Sequence, residues 1–159
     1  MAKRRFFIKL DTADLSSGLT RYQKVIPTEN TVLRGFQTWF FVWNDPTFTD
    51  IYFQIYSLQG TTPKKLLYTS TNSILKADLH TLDYADKGFG MLFDYVSLKG
   101  GESYALVPRA TGYTATSNSY LGWQLGYPDP AYRTNVPLLS VTNLGRSPFK
   151  ITGFIGDML

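Results

Sequence analysis

LKGGESYALVPRATGYTATSNSYLGWQLGYPDPAY, residues 98–132, decides how this chain folds. It holds two short apolar segments, 104–107 and 120–125, joined by a polar link rich in Thr, Ser, Gly and Asn. A tail punctuated by proline, Tyr127-Pro128-Asp129-Pro130, follows. Apolar runs this brief, bounded by Gly, Pro, Asn and Ser, read as strands between turns rather than as helices. The chain before this stretch must then supply the strands that pair with these two, and the chain after it must close the sheet.

Upstream, residues 5–10 read as a first strand and 11–20 as turn chemistry centred on Ser16-Ser17-Gly18. Residues 21–26 alternate charged and apolar side chains and stop at Pro27, as an edge strand would. Residues 32–43 are the longest apolar segment. Phe36, Phe40 and Val42 fall on one side of the pleat, and Trp39, Phe41 and Trp43 on the other. With both faces apolar, such a strand needs the core on one side and another chain or loop on the other. Asn44-Asp45-Pro46 breaks it. Residues 50–57 put Ile51, Phe53 and Ile55 inward and Tyr52, Gln54 and Tyr56 outward. A turn at 59–63 returns the chain as a strand over 64–70. Residues 74–82 fit either two helical turns or an irregular strand. Phe89, Met91, Phe93 and Tyr95 share one side of the next strand, and Gly100-Gly101 ends it. Segments 138–142 and 149–155 read as the last two strands. About nine or ten strands with turn signals every 8–12 residues indicate an all-β, antiparallel β-sandwich with little helix. A single domain spans 1–159, with 1–20 as a basic N-terminal strand or arm.

Composition narrows the function. Aromatic residues reach 16%, including 11 Tyr and 11 Phe, while charged residues make up only 18%. Such side chains suit a half-buried pleated surface and are enriched at interfaces, so some are expected to meet a partner. The net charge of +4 is uneven. Residues 1–34 hold seven Lys/Arg against three Asp/Glu, and the remainder balances nine against nine. The basic segment therefore reads either as an edge strand protected by charge or as an arm that docks on an acidic surface. There is no cysteine, which excludes disulfides and thiolate chemistry. Lys3-Arg4-Arg5 is not followed by the apolar core of a signal peptide, and no run approaches the roughly 18 apolar residues of a membrane span. Synthesis in the cytoplasm without a signal peptide, and no membrane partner, are the expectations.

The order IYFQIYS, a Gly-Thr-Thr-Pro turn, KKLLYTS, FDYVSLKGGESYALVP, SNSYLGWQLGYPDPAY and FKITGF resembles jelly-roll β-sandwich modules of phage virion proteins and of surface-attachment proteins. The match falls on Phe93, Val96, Leu98, Gly101, Tyr104, Leu106 and Val107, then on Trp123, Asp129, Pro130 and Tyr132. It covers roughly residues 36–155. Members often carry a glycine pair after the Pro-Tyr and a second Trp before the last strand. This chain has Arg133-Thr134-Asn135 and Arg146-Ser147-Pro148 there, a departure that bears on any ligand pocket. The resemblance implies a jelly-roll topology and a non-catalytic module for attachment or assembly.

The residues that carry chemistry agree with that implication. His80 is the only histidine, Gly-x-Ser-x-Gly is absent, and Glu29 and Glu102 are the only glutamates. The ten Asp residues sit mainly in turns, where capping explains them. Asp45/Asp50 and Asp83/Asp86 lack the density of a calcium loop. No enzymatic activity and no metal or other cofactor are expected, and nucleic acid is a poor fit to so modest a charge. For protein contacts, the Trp39/Phe41/Trp43 face and the basic Lys3, Arg4 and Arg5 are the candidates. For a glycan, Trp123, Tyr127, Asp129 and Tyr132 join a flat aromatic to polar neighbours. Trp123 also lies in phase with Leu121 and Leu125, which favours reading it as core. The expected function is a structural protein of a phage virion: a minor capsid, head-decoration or tail-attachment component. Its partners would be major capsid or tail proteins and further copies of itself, with a trimer as one candidate symmetry. The alternative is a carbohydrate-binding or receptor-binding module that meets a host-surface glycan.

Overall fold

The computed structural model describes residues 7–16, 21–27, 29–38, 40–79, 89–124 and 149–155. In chain order the strands are β1 (Phe7–Leu10), β2 (Tyr22–Pro27), β3 (Thr31–Thr38), β4 (Phe40–Trp43), β5 (Asp50–Gln59) and β6 (Thr62–Thr69). They continue with β7 (Ile74–Leu75), β8 (Phe89–Leu98), β9 (Tyr104–Ala110), β10 (Tyr120–Gln124) and β11 (Phe149–Ile155). A five-residue helix α1 (Thr12–Ser16) follows β1, and a 3₁₀ turn occupies Lys76–Asp78.

Among the described residues every strand pairing is antiparallel, and the chain folds as an all-β sandwich. β10 lies between β1 and β4, while β8 pairs with β3. In the other layer the order is β11-β2-β9-β5-β6, with β7 also on β5. One residue separates the end of β3 from the start of β4 in the chain. The pairings are nested: β1 with β10, β2 with β9, β3 with β8 and β5 with β6.

Alternation places the core between the layers. From β5 come Ile51, Phe53 and Ile55; from β8, Met91 and Phe93; from β9, Tyr104 and Leu106; from β10, Leu121 and Trp123. The middle is aromatic. Trp123 stacks on Phe40 at 6.0 Å and 11°, and meets Phe53 edge-on at 5.7 Å. Phe36 meets Phe53 edge-on at 5.0 Å. These are the offset and T-shaped arrangements that ring quadrupoles favour. The Trp123 indole N–H is buried with its ring and donates to Thr38 Oγ1 at 3.0 Å, which removes the cost of burying it.

Four local expectations need correction. Residues 11–20 are not turn alone: the Asp14 carboxylate accepts the Asp11 N–H at 2.7 Å, and this cap starts α1. β2 is central, flanked by β11 and β9. Pro27 is tolerated because it is the last residue of the strand, where its carbonyl accepts the Gly101 N–H at 2.8 Å. Residues 32–43 form two strands in two ladders, although Phe36, Phe40 and Val42 do share the core side. On β8 the alternation stops at Phe93. Leu33 pairs with Val96 but Gly35 pairs with Leu92, so extra residues bulge from β8 and Tyr95 leaves the face shared by Met91 and Phe93. Segment 138–142 and His80 lie outside the described residues.

Candidate binding surfaces

Among the described residues, two surfaces carry the exposed aromatic side chains. The first is the outer face of the β1-β10-β4 ladder. Trp43 is directly opposite Tyr120, and Phe41 is opposite Gly122. Gly122 is required there: a Cβ would lie 2.2 Å from the Phe41 ring, which crosses the glycine backbone. Phe41 is accordingly only 2% exposed, whereas Trp43 is 37% exposed. Lys9 of β1 holds its ammonium 4.9 Å from the centre of the Tyr120 ring, and donates to the Ser117 carbonyl at 3.3 Å.

The loops at the end of this ladder are tied together. Directly after Trp43, Asn44 and Asp45 both adopt left-handed backbone (φ 53° and 56°), where their short polar side chains make the conformation tolerable. The Asn44 amide donates to the Asn118 carbonyl at 2.7 Å, and Ser119 Oγ donates to the Asn44 carbonyl at 2.7 Å. Lys76 reaches across to Asp45 Oδ1 and to the Pro46 carbonyl, both at 2.8 Å.

The second surface is the bulge on β8. Tyr95 has φ of 54°, a left-handed conformation that costs an aromatic residue about 1–3 kcal/mol. It is 62% exposed, Leu92 is 50% exposed, and the Arg34 guanidinium lies 5.9 Å from the Tyr95 ring centre. The edge of β8 beside them is closed by side chains. Asn72 accepts the Leu92 N–H and donates to the Gly90 carbonyl, each at 2.8 Å, as a neighbouring strand would. Further along, Tyr68 OH accepts the Ser97 N–H at 3.3 Å and donates to the Ser97 carbonyl at 3.4 Å.

The residues named from the sequence distribute unevenly over these surfaces. Of the protein-contact set, Trp43 is at the surface and Phe41 is covered within its own chain; Trp39, Lys3, Arg4 and Arg5 lie outside the described residues. Of the glycan set, Trp123 is 1% exposed and belongs to the core. With Phe40 and Phe53 packed on it and its N–H used by Thr38, it has no face for a sugar. Tyr127, Asp129 and Tyr132 lie outside the described residues. Period 2 hides the Leu92/Tyr95 surface, because it puts Tyr95 on the same side as Met91 and Phe93; only the bulge separates them. Among the described residues no cluster of three or more His, Asp or Glu side chains is placed to hold a metal ion. No protein-family model, curated protein or solved structure matches the chain.

Proposed function

We propose that this chain is a non-enzymatic structural protein of a phage virion, a minor capsid, head-decoration or tail-attachment component that assembles through an outer face of its sandwich. The observation that carries the reading is the β8 bulge, which holds Tyr95 in a left-handed conformation and presents it to solvent beside exposed Leu92. Backbone strain retained to expose a large aromatic is a feature of contact sites, and bulges re-aim side chains for that purpose. The nested order of strand pairs supports a jelly roll, an architecture common among viral capsid and lectin domains. That step is an analogy of fold.

Association would use faces rather than strand edges. Asn72 and Tyr68 occupy the open side of β8, and the outer strand β6 carries Pro63, Lys64 and Lys65, residues that discourage strand addition. Major capsid or tail proteins and further copies of the chain are the partners this predicts. The test is the double variant Leu92→Asp/Tyr95→Asp expressed during infection. Particles purified by density gradient should contain the parent chain and lack the variant, with the variant recovered folded from the soluble fraction. Absence of the parent chain from particles, or undiminished incorporation of the variant, refutes the proposal. Light scattering on the purified parent chain reads its oligomeric state separately.

A further inference from the structure

We infer that the Trp43 end of the β1-β10-β4 ladder is a binding site for a neutral hexopyranose unit of a glycan, a different place from the one composition suggested. Three observations converge there. Trp43 presents an indole on the outer sheet face, and the ring opposite it, Tyr120, is already engaged by Lys9. Trp43 is therefore the ring in this pair available for stacking. A pyranose has one face of C–H groups that covers an indole and a rim of hydroxyls that needs donors and acceptors.

The polar groups come from the two loops that adjoin this end of the ladder, next to Trp43 and two residues before Tyr120 in the chain. Asn44 follows Trp43 directly, and its amide nitrogen holds the Asn118 carbonyl. Both asparagines are exposed. Among the described residues the Asn118 side-chain amide has no partner, and Asn44 Oδ1 retains its acceptor capacity. An amide offers a donor and an acceptor close together, which suits neighbouring sugar hydroxyls.

The third observation is preorganisation. Two consecutive left-handed residues are fixed by Ser119, Asn118 and Lys76, so little ordering is left to pay on binding. A protein partner fits this place less well. A standard interface covers about 800 Å² on each side, and here a single exposed indole is followed in the chain by exposed polar Asn44 and Asp45, with Phe41 already buried.

The experiment is a glycan array probed with the labelled parent chain, followed by titration of the best hexopyranoside while the Trp43 indole N–H is watched by NMR. The parent should bind a defined subset of glycans and shift the Trp43 resonance. Trp43→Ala should lose at least about tenfold in affinity, and Trp43→Phe should keep part of it. Asn118→Ala should weaken binding by about three- to tenfold. An array with no binding overturns the site, as does binding unchanged by Trp43→Ala. If Trp43→Ala fails to fold, the exposed Asn118→Ala decides, and unchanged binding there overturns the site. If instead Trp43→Ala leaves glycans unbound as in the parent but changes the oligomeric state, the indole belongs to a protein contact. Incorporation into particles is read through Leu92 and Tyr95, so either idea can fail alone.

Discussion

Tyr113→Phe removes one oxygen and tests how the first strand is held to the sandwich. The Tyr113 side chain is buried, and its hydroxyl sits between two strands that face each other in register at Leu10 and Leu121. It donates to the Leu10 carbonyl at 2.6 Å and accepts the Leu121 N–H at 2.8 Å. Phenylalanine fills nearly the same space, so the cavity cost is small. What remains is a backbone donor and a backbone acceptor, both buried and both stripped of a partner. Each such group costs about 1–3 kcal/mol, which sets the expected loss for the two at about 2–6 kcal/mol. Closure of β1 onto β10 to form a direct bond would recover part of it. At about 2–4 °C per kcal/mol for a chain of this size, the loss corresponds to a fall in melting temperature of about 4–24 °C. Urea unfolding with an unchanged slope is the assay, with amide exchange at Leu121 as the local probe. A change below about 0.5 kcal/mol with unaltered exchange at Leu121 would refute the bridging role. The same group gives a pH signature. Burial pushes the Tyr113 hydroxyl up from 10.0 to about 12. Between about pH 10 and 12 the unfolded chain releases this proton while the folded chain keeps it. Stability therefore falls as pH rises through that window, and Tyr113→Phe should remove that part of the decline.

Two other perturbations follow from the packing. Gly122→Ala drives a methyl group into the Phe41 ring and should cost about 1–3 kcal/mol; in the double variant with Phe41→Ala the two losses should fall short of additivity, measured by a urea double-mutant cycle. Asn72→Ala uncovers the Leu92 N–H and the Gly90 carbonyl on the edge of β8, and should increase concentration-dependent association in light scattering, whereas an unchanged monomer fraction would show that the clamp does not guard that edge.

Much of the architecture was legible because it depends on side-chain period. Ile51, Phe53 and Ile55 alternate with Tyr52, Gln54 and Tyr56 in the sequence, and the first three are buried in the structure. Gly-rich and Asn-Asp-Pro breaks mark the turns for a similar local reason: Asn44, Asp45, Gly60 and Gly101 adopt left-handed backbone. Whether Trp123 is core or platform was open from its neighbours, since phase with Leu121 fits both; Phe40, Phe53 and Thr38, distant in the chain, settle that it is core. The centrality of β2 was hidden because a strand ending in proline looks the same at an edge or in the middle until its partners are known.

Local pattern by itself determined that the chain forms short antiparallel strands around an aromatic core, because alternation and turn formers act over a few residues. Only the tertiary structure decided which rings face solvent. One bulge moved Tyr95 out of the face shared by Met91 and Phe93, and one glycine let Phe41 lie flat against β10 while Trp43 stayed outside. Exposure of a ring depends on what crosses it from another strand, and that contact has no imprint in the residues beside it.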